Sequence, residues 1–166
     1  MRQQLRTGLI AAVLLAALSI QPFTARADSH GDGLIVKTSA FGVTKTLDRL
    51  GIVLERAGIT VFARIDHAKG AGKVGLDLPP TALIIFGNPK LGTPLMQSNQ
   101  KIGLDLPLKA LAWQEADGSV KLGYTDPAWL AKRHGIADRD SVFQKMAGAL
   151  KKFTDMAVTK GGLPKQ

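Results

Sequence analysis

The side chains with which this 166-residue chain could do acid–base or ligand chemistry are three histidines and a few loop carboxylates. His67 stands in Ile65-Asp66-His67-Ala68, where an alternating run meets a glycine-rich stretch. An imidazole beside a carboxylate at a strand end fits an acid, a base or a ligand, because it titrates near neutrality and a strand end opens on a cleft. A partly exposed, hydrogen-bonded histidine fits the same place. His134 closes Lys132-Arg133-His134-Gly135, the last turn of a predicted helix, where a cation complements the helix dipole; its expected role is structural. His30 follows Asp28 and Ser29. If Asp28 is a free N-terminus, its amine, two backbone amides and a third-position imidazole make a square-planar set for Cu(II).

Gly87-Asn88-Pro89-Lys90 lies between an apolar run and a predicted helix, and its free N–H groups beside Lys90 could hold an anion. A sharp turn needs the same Gly and Pro. The run Gly75-Leu76-Asp77-Leu78-Pro79 returns as Gly103-Leu104-Asp105-Leu106-Pro107. The repeat reads as one junction used twice, or as Asp77 and Asp105 paired at one pole of a sheet. No Gly-x-Ser-x-Gly, HExxH, Walker A or dinucleotide fingerprint occurs. With no cysteine, disulfides, thiol catalysis, iron–sulfur clusters and thiolate zinc sites are excluded.

The N-terminus states a compartment. Arg2 and Arg6 precede an apolar run from Leu9 to Ile20, Pro22 ends it, and Ala25-Arg26-Ala27 gives the small-x-small cleavage pattern. This is the pattern of a secretory signal peptide over 1–27, cut after Ala27 into the periplasm. The run is too short to span a bilayer, which takes about 20 residues. No later run is longer, so no stable membrane insertion is expected of the mature chain. Net charge is +9, or +6 without the three leader arginines. The basic residues are scattered and aromatics are few, which argues against a nucleic-acid partner.

These residues need a scaffold, and the periodicities predict one. Residues 28–33 read as a flexible tail, 34–160 as a single domain and 161–166 as a frayed end. Strands are expected at 34–38, 59–65, 81–86, 108–115 and 120–124, the last two joined by an Asp117-Gly118 turn. Val43, Leu47, Leu50, Leu54 and Ala57 mark a helix that starts from Thr38 or Ser39 and stops at Gly58. Thr93-Pro94 and Asp126-Pro127 each read as a cap followed by an N1 proline. Residues 68–80 read as a loop. Ser141 and Gln144 suggest a capping box for a last helix, with Val142, Met146, Ala149 and Phe153 on its apolar stripe. The predicted fold is α+β, an antiparallel-rich mixed sheet with helices on one face, in the order β-α-β-β-α-β-β-α-α.

The stretches Ile65-Asp66-His67-Ala68, Phe86-Gly87-Asn88-Pro89 with Gly92-Thr93-Pro94-Leu95-Met96, Leu104-Asp105-Leu106-Pro107-Leu108 and Tyr124-Thr125-Asp126-Pro127 resemble the bacterial domain-of-unknown-function 302 family. The resemblance covers 32–134 and implies a compact α+β domain, often a homodimer, with no established activity. The expected function is an exported ligand-binding or accessory protein. Its pocket is expected among Asp66, His67, Gly87, Asn88, Pro89 and Asp105, with no cofactor beyond Cu(II) at the N-terminus. Two other readings are a small acid–base enzyme using His67 and Asp66, and a copper or haem handling protein using His30 or His67.

Overall fold

In the computed structural model, which describes residues 28–29 and 33–163, the five alternating and apolar runs become strands and a short sixth strand joins them. They are β1 (Asp28–Ser29), β2 (Leu34–Ser39), β3 (Thr60–Asp66), β4 (Thr81–Gly87), β5 (Leu108–Gln114) and β6 (Val120–Thr125). Their order is β1-β2-β6-β5-β4-β3, and every neighbouring pair is antiparallel. The expected mixed sheet is thus antiparallel throughout, because hairpins and antiparallel crossovers make all of its joins. The helices are α1 (Val43–Arg56), α2 (His67–Lys73), α3 (Pro89–Ser98), α4 (Pro127–Arg133) and α5 (Asp140–Val158), with a 3-10 turn over Gln100–Leu104. The chain is an α+β single domain. Residues 1–27, 30–32 and 164–166, including the expected leader and His30, lie outside the described residues.

Period-two alternation sorts the strand residues onto two faces. Ile84 and Phe86 of β4, Ala110 and Ala112 of β5, and Leu122 and Tyr124 of β6 are buried beneath α1 and α5. From α1, Leu47, Leu50 and Leu54 enter this core. Each such burial contributes about 1.5–3 kcal/mol of transfer free energy. On the opposite face Val36, Leu83, Leu111 and Ile85 are only half-buried. Cross-strand register sets Leu83 against Leu111, and Leu111 against Gly123, which pairs with Val36. A Cβ at Gly123 would lie 3.0 Å from the Trp113 ring, so glycine there lets the indole lie down on the sheet.

A buried cation sits on the helix-covered face. Lys37 is buried, and its Nζ donates to Thr154 Oγ1 (2.7 Å), Asp155 Oδ1 (2.5 Å) and the Lys151 carbonyl (3.1 Å). Burial pulls the Lys37 pKa below its ordinary value even with Asp155 beside it. Burial works against the Asp155 carboxylate too, but hydrogen bonds from Lys151 and Lys37 bring its pKa below the usual range. The knot fixes β2 to α5.

Several local expectations change. Residues 67–73 form a helix rather than a loop, because the Asp66 side chain accepts from Lys69 N (2.8 Å) and caps it. Asp28 and Ser29, expected in a flexible tail, pair with Val36 and Ile35. Ser39 does not cap α1: it ends β2, and its hydroxyl lies 2.7 Å from Thr46 Oγ1. α3 starts four residues before the expected Thr93 cap, where Asn88 accepts from Lys90 N (2.9 Å) and Pro89 takes N1; Pro94 falls inside the helix. The Ser141–Gln144 box does not form, and α5 begins at Asp140 without a side-chain cap. Asp126 does cap α4, accepting from Ala128 N (3.0 Å) ahead of Pro127.

Candidate functional site

β4 ends where β5 begins, with Phe86 paired to Leu108, and the start of β3 joins them through Thr60 and Gly87. Three chain turns therefore gather at one end of the sheet. α3 leaves from this end, and the Leu106-Pro107 segment, whose peptide is cis, returns along it. α5 crosses above. Together they line a half-open cavity of about 330 Å³. That is the lower end of the range for small-molecule pockets, which are mostly apolar and largely preformed.

The walls are almost wholly apolar. Phe62 and Phe86 come from the sheet, Met96 from α3, and Met146, Leu150 and Phe153 from α5. Two methionines supply adaptable, polarizable surface suited to ligands of varied shape. Three glycines give the space its width. A Cβ would lie 3.4 Å from Pro107 at Gly87, 3.6 Å from Leu106 at Gly92 and 3.6 Å from Met96 Sδ at Gly103. The polar groups on the lining are few. Asn88 lines the cavity, but its side-chain oxygen is occupied by the Lys90 amide.

The sequence candidates divide between the two ends of the sheet. Gly87, Asn88 and Pro89 line the cavity, with Leu106 and Pro107. Asp66 and His67 do not. Asp66 pairs with Ala82 at the far end of β4, its carboxylate is taken up in capping α2, and both side chains are exposed. The expected convergence of His67 with the Gly87 turn fails because β3 and β4 run antiparallel, which puts the end of one beside the start of the other. The same geometry separates Asp77 from Asp105. Asp77 precedes Thr81, which pairs with Trp113, while Asp105 precedes Leu108 at the opposite end.

Asp105 stands behind the cavity wall. Its Oδ2 lies 2.6 Å from His134 Nε2 and 3.3 Å from Arg133 Nε. The His134 side chain is buried, and its carbonyl accepts from Asn99 Nδ2 (2.7 Å). The histidine expected to play a structural part at a helix end thus meets the turn into β5 through this contact. Among the described residues no group of three or more His, Asp or Glu side chains is placed to hold a metal. The α5 lining residues escaped the sequence reading as a site, since an apolar helical stripe serves a core and a cavity wall alike.

Fold and site together define a small antiparallel α+β domain with an apolar pocket at one end. The chain belongs to the family described as Domain of unknown function DUF302, which residues 35–153 match. It is similar to the crystal structure of an uncharacterized conserved protein DUF302 from Bacillus stearothermophilus, with a TM-score of 0.69 at 21% identity over 76% of this chain and 98% of that one. It is also 51% identical over 104 residues to proteins named Fluoride-specific ion channel FluC 1, from Brucella suis biovar 1 (strain 1330) and from Brucella abortus biovar 1 (strain 9-941). Those matches cover 63% of this chain, and 41% and 38% of the relatives. The chain thus spans about two-fifths of the length of these curated relatives. Among the described residues, no helix is long and apolar enough to cross a membrane.

Proposed function

We propose that this protein is exported to the periplasm by its leader and there binds a small apolar ligand in the cavity beneath α5. The observation that carries the reading is the cavity itself: about 330 Å³ of mostly apolar space, with Gly87, Gly92 and Gly103 on its lining. A concave, mostly apolar space of this size with few polar groups is the usual form of a small-molecule site, so it favours an occupant. The reading includes a homodimer, in which the half-buried row Leu83, Leu111 and Val36 of the free sheet face meets its counterpart. A native mass spectrum of protein from the periplasmic fraction tests it. The expected species starts at Asp28, is a dimer and carries a small molecule released on denaturation. Intact Met1 on cytosolic protein contradicts the export, and a persistently empty monomer contradicts the rest.

A second reading rests on the Brucella relatives. Half-identical sequence within proteins named as fluoride-specific ion channels supports an accessory role beside an ion channel. Fluoride tolerance of a strain lacking this chain tests it: heightened sensitivity is expected, and unchanged growth contradicts it.

A further inference from the structure

Resting on the cavity reading, we infer that the ligand is a single-chain amphiphile with an anionic head, its chain in the cavity and its head among lysines at the rim. Six charged residues directly adjoin a lining residue in sequence: Lys90, Lys109, Lys145, Lys151, Lys152 and Asp105. The one acid is engaged by His134 and Arg133. Lys151 is paired with Asp155, and Lys109 Nζ is directed at the carbonyls of Asp105 and Pro107. That leaves Lys90, Lys145 and Lys152, all exposed, whose Nζ groups make no hydrogen bond or ion pair among the described residues.

Their placement follows from helix geometry. Residues three and four apart lie side by side on a helix surface. Lys145 and Lys152 therefore flank Ala149, and Ala149 lines the cavity. Lys90 lies in the first turn of α3 between the lining residues Pro89 and Leu91. Free cations thus stand on both helices beside an apolar interior.

Exposed apolar groups mark the way in. Phe62 lines the cavity yet is 54% exposed, and Leu104, between the lining residues Gly103 and Leu106, is 79% exposed. Such groups at a rim suit an occupant that extends outward rather than one sealed within. A space of about 330 Å³ is at the lower end for small-molecule pockets, which suits a single alkyl chain rather than a bulkier lipid.

The test is displacement of the neutral probe N-phenylnaphthylamine from the full mature protein by dodecanoate and by dodecanol, below their aggregation limits. Dodecanoate is expected to displace it at about tenfold lower concentration at low salt, a 1.4 kcal/mol preference. That preference should shrink at 0.5 M salt, where exposed charges are screened within a few ångströms. Lys90→Gln and the pair Lys145→Gln with Lys152→Gln should each lower the preference and leave dodecanol unchanged. A lysophosphatidylglycerol of the same chain length separates sources: if it outcompetes dodecanoate, the amphiphile comes from a phospholipid, and otherwise it is a free fatty acid. Equal displacement by acid and alcohol overturns the charge inference while leaving an apolar cavity site intact. A preference that survives all the lysine changes overturns the assignment of the rim. A probe that does not bind at all overturns the cavity reading, and this inference with it.

Discussion

His134 Nε2 lies 2.6 Å from Asp105 Oδ2, and this contact ties the end of α4 to the turn that leads into β5. The turn carries Leu106 and Pro107 onto the cavity wall, so a polar contact outside the cavity sets the shape of an apolar space inside it. Asp105→Asn keeps the size of the side chain but removes the charge. A hydrogen bond between charged or polarised partners contributes about 1.5–3 kcal/mol, so a loss of about 1–2 kcal/mol is expected in urea unfolding, together with weaker probe binding. A loss of stability without any change in probe affinity would separate this contact from the cavity.

Gly92 gives a prediction of the opposite sign. It lies inside α3 with ordinary backbone angles, and an added Cβ would make normal van der Waals contact with Leu106. Gly92→Ala should stabilise the protein by about 0.5–1 kcal/mol through helix propensity. The added methyl enters the lining, so probe affinity should fall. A gain in stability with unaltered affinity would show that this wall does not bound the occupied space.

The Lys37–Asp155 pair sets a pH dependence. The Asp155 pKa is depressed in the folded state, so its contribution is present above the ordinary carboxylate value near 3.8 and is lost as pH falls through its lower folded value. Lys37 is also depressed, so the unfolded chain holds that proton more tightly, and its contribution to stability rises with pH only between its lowered folded value and about 10.5. Asp155→Asn leaves Lys37 buried beside a neutral partner. Asp155 is about a third exposed, so the cost should be about 1–3 kcal/mol, below that of a fully buried pair. Melting temperatures between pH 2 and 5 check the sign: wild type should lose more on acidification than the variant. A parallel decline places the acid-sensitive group elsewhere.

His67→Gln should change little. The side chain is exposed, at the end of the sheet away from the cavity, and surface substitutions usually stay within about 0.5 kcal/mol. Calorimetry and probe titration check this together. A lost ligand response in His67→Gln would restore the strand-end site that the antiparallel register argues against.

Much of the scaffold was legible because it is written in periodicity. Val43, Leu47, Leu50 and Leu54 recur at helical steps, and all four are buried. Asp117-Gly118 makes the expected turn, with Gly118 at φ 81° and Asp117 accepting from Ser119 N. What failed was long-range or locally ambiguous. Lys69, Gly70 and Gly72 read as loop, and only the Asp66 cap, whose carboxylate meets an amide three residues on, shows why they fold as helix. The site was half visible. Gly87, Asn88 and Pro89 announce a turn at a strand end, but which other turns meet them depends on strand direction, which alternation does not encode. The last helix shows a further limit. The expected stripe through Val142, Met146, Ala149 and Phe153 holds at Met146 but is otherwise rotated by about one position, and the buried residues of α5 are Phe143, Met146, Leu150, Thr154, Ala157 and Val158. Ala149 and Phe153 instead face the cavity, and only a missing partner atom distinguishes a cavity wall from a core.

The central claim is that the space beneath α5 takes an apolar ligand, and one comparison tests it most directly: titration of wild type and Ala149→Trp with N-phenylnaphthylamine, each checked for an unchanged melting transition. The account predicts saturable binding at one site per chain in wild type, with blue-shifted emission, and its loss when the indole fills the cavity. Equal binding by the two proteins, at matched stability, would contradict it.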